Sequence, residues 1–175
     1  MIKATRQDKH LVIDILSKAF NNNQSVNYIV QQDQSRQRRI RSLMKYSFEL
    51  CYQFGDVFLS NDKKACALII YPDKKKVTLK TLLLDLQLIL TAVGSRNIRK
   101  AMARESMISS IHPKGLKAYL WFIGVHPNHQ QQGIGSTLLT KIIKHSKQES
   151  RPVYLETSTL MNLPWYQNFG FTKYH

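Results

Sequence analysis

Tyr119-Leu-Trp-Phe-Ile-Gly-Val125, followed directly by His126-Pro-Asn-His-Gln-Gln-Gln-Gly-Ile-Gly-Ser136 and then by Leu138, Leu139, Ile142 and Ile143, is the stretch on which the fold turns. The first part is a continuous apolar run, as in a strand buried on both faces of a sheet. The last four residues lie on one face of an amphipathic helix. Between strand and helix stands a polar loop bearing Gly133 and Gly135. Such a loop can turn successive N–H groups toward one point at a helix N-terminus, where unpaired donors and the positive end of the helix dipole suit a phosphate. Glycine at both positions would let an anion approach the backbone. A Gly-x-Gly turn is also a common tight connection. It is neither a dinucleotide fingerprint nor a P-loop, because the third glycine and the Gly-Lys-Ser/Thr ending are missing.

Working outward, residues 2 to 6 read as a short strand, and Leu11, Val12, Ile15, Leu16, Ala19 and Phe20 share one helical face behind a cap at Asp8. The polar run Asn21-Asn-Asn-Gln-Ser25 breaks that helix. Ile40, Leu43, Met44, Phe48, Cys51 and Tyr52 mark a second helix with a basic outer face. Asp56-Val-Phe-Leu-Ser60 and Ala65-Cys-Ala-Leu-Ile-Ile-Tyr71 flank Asn61-Asp-Lys-Lys64, a hairpin signal that Pro72 closes. Leu79 to Val93 is apolar nearly all round, which predicts a helix packed on several sides, as a pocket wall or as plain core. Gly94-Ser95 ends it, and a more basic helix reaches about Met107.

A length of 175 residues, 43% of them hydrophobic, suits one core, and a single domain over residues 1–175 is expected. The Leu79–Val93 run is interrupted by Lys80, Asp85 and Gln87 and is shorter than the ~20 residues of a bilayer span. Met1-Ile-Lys-Ala-Thr-Arg6 lacks the apolar core of a signal peptide, so a soluble, cytoplasmic chain with no membrane partner is expected. Cys51 and Cys66 sit inside apolar patterns and read as core fillers; neither a disulfide framework nor a metal site is expected. Lysine and arginine number 26 against 11 acidic residues, a net charge of +15 that attracts anions without choosing among nucleic acid, anionic membrane and polyphosphate cofactor. The basic clusters carry no interleaved aromatics for base stacking, which argues against a dedicated nucleic-acid binder.

Gln130-x-x-Gly133-x-Gly135 after a buried strand resembles the acyl-CoA pyrophosphate motif of the GNAT superfamily of N-acetyltransferases. Pro152-Val-Tyr-Leu-Glu-Thr-Ser158 is similar to the strand that follows in that family, and Asn162-Leu-Pro-Trp-Tyr-Gln-Asn-Phe-Gly-Phe171 resembles its closing signature. The wording of Leu155 to Phe171 is especially similar to the puromycin N-acetyltransferase subgroup. The specific resemblance covers residues 119 to 171. It implies an α/β fold of mixed α+β layers: a twisted mixed sheet flanked by helices, with acetyl-CoA in a split beside the fourth strand. It further implies that the main chain of Ile123 and Val125 bonds the pantetheine arm. Gln130, Gln131, Gln132, Gly133, Ile134, Gly135 and Ser136 would form the pyrophosphate cradle, Asn162 would bond the pantetheine further along, and Tyr166 would lie near the sulfur.

Acetyl transfer from a thioester to an amine needs a donor for the carbonyl oxygen and a proton for the leaving thiolate. A backbone N–H near Val125 suits the first role and the Tyr166 hydroxyl the second. Tyr166 can equally be a packing aromatic beside Trp165 and Phe169. Glu156, in an apolar strand pattern, is the leading candidate for the base that takes the amine proton, since half-burial can raise a carboxyl pKa; it can equally be a salt-bridged structural residue. His112, His126 and His129 have suitable intrinsic pKa values but read individually as loop histidines. The expected activity is transfer of an acetyl group from acetyl-CoA, with no metal, to a primary amine of a small molecule. Two alternatives stand beside it: a protein or peptide N-acetyltransferase, and a basic nucleic-acid or anionic-surface binding module on an inactive scaffold. Gly170 lies five residues before His175, where the family continues into another strand. The sheet edge is expected to be short, to be completed by another copy in a homodimer, or to continue in missing chain.

Overall fold

Ala65-Cys-Ala-Leu-Ile-Ile70 contains no polar side chain, and all six residues are buried, as expected for a central strand. In the computed structural model, which describes residues 1–94 and 97–174, this strand is β3 (Ala65–Ile70). Its neighbours in chain order are β1 (Ile2–Lys3), β2 (Gly55–Leu59), β4 (Ala118–Val125) and β5 (Val153–Tyr154). They form one sheet in the order β1-β2-β3-β4-β5, antiparallel throughout except for the parallel pair β4·β5. The helices are α1 (Lys9–Ala19), α2 (Gln24–Ile29), α3 (Arg36–Phe54), α4 (Leu79–Leu88), α5 (Ile98–Ile111), α6 (Ile134–Gln148) and α7 (Leu163–Gln167). The expected mixed α/β architecture is observed.

Strand periodicity sends alternate β3 residues into two cores. Cys66, Leu68 and Ile70 join Leu16, Ile40, Met44 and Phe48 of α1 and α3 on one face. Ala65, Ala67 and Ile69 meet Leu138, Leu139 and Ile142 of α6 on the other. Cys51 and Cys66 are both buried and free. Asp56 has two close partners at the sheet edge: Tyr71 Oη donates to its Oδ2 at 2.5 Å, and Lys3 Nζ lies 2.5 Å from its Oδ1. Arg151, 9% exposed, forks onto Asp73 at 2.6 and 2.8 Å and stacks 4.6 Å from the Tyr71 ring, pinning the start of β5.

Several local expectations need correction. The first strand closes after Lys3 rather than at residue 6, because Thr5 and Asp8 form a reciprocal capping box around a 3₁₀ turn at Arg6–Asp8. The polar run Asn21–Ser25 breaks α1 and also starts α2, since Asn23 Oδ1 accepts the Val26 amide at 3.1 Å. The basic helix ends at Ile111 rather than near Met107. The strand expected over Pro152–Ser158 shrinks to Val153–Tyr154. Helix α4 continues into a π-helical turn at Ile89–Val93 and stops at Gly94, whose φ of 70° is left-handed; Ser95, the other expected stop residue, lies outside the described residues. Leu84 and Leu88 pack on the core, but Leu79, Leu82, Leu83, Leu86 and Leu90 point outward. The helix is therefore covered on one side only.

Gly55 begins β2 where its backbone crosses β3 so closely that a Cβ would stand 2.8 Å from Ile70 Cα and nearer still to Ile69 O. Both obstacles are main-chain atoms, which cannot swing away. Gly55→Ala is expected to lower stability by about 1–3 kcal/mol, the usual cost of overpacking, read as a lower urea midpoint at unchanged slope.

Candidate active site in the β4–β5 split

β4 is bonded to β3 along its length but, among the described residues, to β5 only through Ala118↔Val153 and Tyr119↔Tyr154. Past Tyr154 the chain leaves the sheet, so the two strands part and the second half of β4 keeps an open edge. The strand's hydrogen bonds identify which groups face that edge. Ala118 N donates to Pro152 O on the β5 side, whereas His126 N donates to Lys64 O on the β3 side. The register jumps from Ile69↔Leu120 to Leu68↔Phe122, making Trp121 the extra residue of a bulge. Counting back from His126 by strict alternation, the main-chain groups of Ile123 and Val125 face the split. The Val125 carbonyl is used locally, since Gln130 Nε2 donates to it at 3.3 Å. Gln130 thereby folds the loop back onto the strand end.

At the C-terminal end of β4 a 3₁₀ turn at Pro127–His129 leads into α6. Gln131 (φ 60°) and Gly133 (φ 74°) both adopt left-handed backbone, the kind of winding that gathers amides into a concave nest. The first backbone bond of α6 runs from Thr137 N to Gly133 O at 2.9 Å. The amides of Ile134, Gly135 and Ser136 precede it and belong to the donors a helix start leaves unpaired. No atom lies within 4 Å of a Cβ built at Gly133, so that side of the turn is open. Gly135 is small for another reason: its Cβ would meet Val125 Cγ2 at 3.2 Å, where α6 crosses β4. Gln131 and Gln132 are exposed on the same loop.

A cavity of about 410 Å³ occupies the region beneath the parted strands. Trp121, Phe122 and Ile123 of β4 form its floor, Arg104, Ile108 and His112 from α5 and its C-terminal end cover it, and Glu156, Asn162 and Tyr166 form the far wall. The Gln130–Ser136 loop lies outside this cavity, at the end of the open strand edge. Trp165 joins the two regions: its Nε1 donates to Ser136 Oγ at 3.0 Å, and its ring packs against Tyr166 at 4.8 Å. Tyr166 is 9% exposed, and burial pushes its hydroxyl pKa up to about 12. It keeps its proton at neutral pH.

Glu156 stands just past β5, where its side chain is 28% exposed, rather than inside a strand. His112 Nε2 lies 2.8 Å from Glu156 Oε1, and Arg104 lies 3.9 Å from Oε2. The His112 side chain is 12% exposed, with its ring edge-on to Tyr119 at 5.0 Å. Burial, then the Glu156 charge, raises the Tyr119 hydroxyl pKa well above its usual range. His112 was only one of three loop histidines by sequence; the extension of α5 to Ile111 brings it to Glu156. His126 and His129 are placed elsewhere, with the His126 ring near Lys18 Nζ at 3.2 Å. Sequence reasoning missed Arg104 and the tying role of Trp165, although Trp165 directly precedes Tyr166.

The acetyltransferase (GNAT) family model matches residues 93–171, which span the open strand, the loop, α6 and the Tyr166 wall. This segment, somewhat under half of the chain, is similar to that family. An uncharacterized N-acetyltransferase of Schizosaccharomyces pombe is 42% identical over 53 residues, 30% of this chain and 22% of that protein. The chain thus spans about a fifth of the length of this curated relative. Among solved structures, a histone acetyltransferase HPA2 and related acetyltransferase from Corynebacterium glutamicum superposes with a TM-score of 0.72 at 21% identity, covering 98% of this chain and 83% of that one. An aminoglycoside antibiotic 6'-N-acetyltransferase from Acinetobacter haemolyticus gives 0.52 at 11% identity, covering 99% and 91%. These structural likenesses establish the shared fold.

The two glycines of this loop separate by experiment. Gly133→Ala forces a side chain into left-handed backbone and is expected to cost about 1 kcal/mol in urea unfolding. Gly135→Val, by contrast, presses α6 off β4 and is expected to cost more, about 1–3 kcal/mol, in the same measurement.

Proposed function

We propose that this chain is an acetyl-CoA-dependent N-acetyltransferase that acetylates a primary amine of a small molecule, with Tyr166 as general acid. The observation that carries this reading is the open edge of β4, which runs from the unpaired amides at the start of α6 to a cavity walled by Tyr166 and Glu156. The residues fit acetyl-CoA: the open side of Gly133 admits a pyrophosphate to the Ile134–Ser136 amides, and the main chain of Ile123 and Val125 offers a ladder edge to the amide groups of pantetheine. Asn162 lines the cavity where it can bond further along that arm. A cavity of about 410 Å³ with α5 across it is in the size range of small-molecule sites, which favours a small amine over a peptide.

Bound acetyl-CoA supplies an activated thioester carbonyl. The Val125 N–H then stabilises the charge that builds on the carbonyl oxygen as the amine attacks. Glu156, held by His112 and Arg104, takes the proton that the amine nitrogen must lose. Tyr166 gives its proton to the sulfur as the C–S bond breaks. Its raised pKa of about 12 keeps the phenol in the acid form throughout the working range.

Calorimetric titration is expected to detect micromolar acetyl-CoA binding that Gly133→Glu abolishes by placing a carboxylate in the pyrophosphate cradle. Absence of binding to the unaltered chain would overturn the enzyme reading. Tyr166→Phe is expected to bind acetyl-CoA normally while kcat falls about 100-fold, the usual scale of a lost general acid, measured by thiol release. Glu156→Gln is expected to lower kcat about 100-fold with acetyl-CoA binding unchanged, and an unchanged kcat would return Glu156 to a structural role.

A further inference from the structure

The outward side of α4 and of the π-helical turn that continues it carries five of the seven exposed leucines among the described residues. Leu79, Leu82, Leu83, Leu86 and Leu90 are 82%, 53%, 66%, 53% and 69% exposed, and Val77 just before the helix is 83% exposed. Their i, i+3, i+4, i+7, i+11 spacing collects the leucines on one stripe, opposite Leu84 and Leu88, which pack on the core. Scattered exposed leucines need no explanation, but a contiguous stripe on one helix marks an interaction surface. No residue of α4 lines the candidate active-site cavity, so the stripe is not a substrate wall.

The charges beside the stripe choose its occupant. Lys74, Lys75 and Lys76 lead directly into Val77 and Leu79, Lys80 flanks the stripe, and all four lysines are exposed. Asp85, the acidic residue of α4, accepts the Tyr46 hydroxyl at 2.6 Å. A second copy seated on this face would bring together two chains that each carry +15. An anionic lipid surface instead attracts that charge while the leucines enter the headgroup boundary, the arrangement of helices that lie in a membrane interface. Among the described residues, no helix is long and apolar enough to cross a membrane, so the contact is peripheral.

We propose that α4 docks the protein on anionic lipid surfaces, with Leu79, Leu82, Leu83, Leu86 and Leu90 entering the interface and Lys74, Lys75, Lys76 and Lys80 meeting the headgroups. The test is co-sedimentation with phosphatidylcholine vesicles with and without phosphatidylserine, at low and at raised salt. Binding is expected only with phosphatidylserine and is expected to weaken with salt. The double variant Leu83→Glu/Leu86→Glu, altered at solvent-facing positions and checked for folding by circular dichroism, is expected to lose at least tenfold in affinity. Lys76→Ala is expected to lose about fivefold, corresponding to the ~1 kcal/mol per basic residue near such a surface. No vesicle binding, or binding unaffected by the leucine variant, would overturn the proposal. So would a dimer in analytical ultracentrifugation that Leu83→Glu/Leu86→Glu dissociates, which would give the face to a second copy. Because neither Lys76 nor any residue of α4 lines the cavity, acetyl-CoA binding should not change in any of these variants.

Discussion

The hydrogen bonding of β4 is the constraint on which the remaining structure depends. One edge is saturated by β3, while the other finds a partner for only two register pairs before β5 departs. Backbone donors and acceptors in a sheet interior must be satisfied, so an open edge inside the molecule is costly unless water or a ligand completes it. The edge survives because β3 and β4 are held from above and below: α1 and α3 bury one face of the sheet and α6 the other. A rigid sheet can thus keep part of one strand unpaired and still be stable.

Each end of that open edge has its own device. At the loop, Gly133 supplies left-handed backbone and open space, while Gly135 permits α6 to cross β4 closely. At the opposite wall, Trp165 ties α7 to Ser136, which anchors the aromatic cluster around Tyr166 to the helix start. Burial raises the Tyr166 pKa to about 12, so its hydroxyl keeps its proton at neutral pH. The Glu156–His112–Arg104 group is assembled from the chain leaving β5 and from α5, two segments that meet only because β5 is short.

Much of this was legible in residue order. The apolar run of β4, the glycine-bearing loop and the stripe of α6 were readable in order, and so was the Asn162–Phe171 segment that carries Tyr166. The length of β5 was not legible, because Leu155 and Glu156 continue an alternating pattern that suits a strand as well as the irregular wall they form. His112 was not legible either, since pairing with Glu156 across 44 residues leaves no local trace. The outward leucines of α4 reversed a reasonable inference: an all-apolar helix reads as buried on all sides, yet here one side meets the core and the other meets nothing in the described chain.

By itself, the sequence determined the alternation of strand and helix, the glycine-bearing turn between β4 and α6 and the basic character of the chain, all of which follow from local periodicity, glycine placement and charge count. Only the tertiary structure decided where β4 and β5 part, which carboxylate meets which histidine, and which side of α4 remains uncovered. Those features arise from contacts between distant segments, and their free energies depend on partners that no short window of sequence contains.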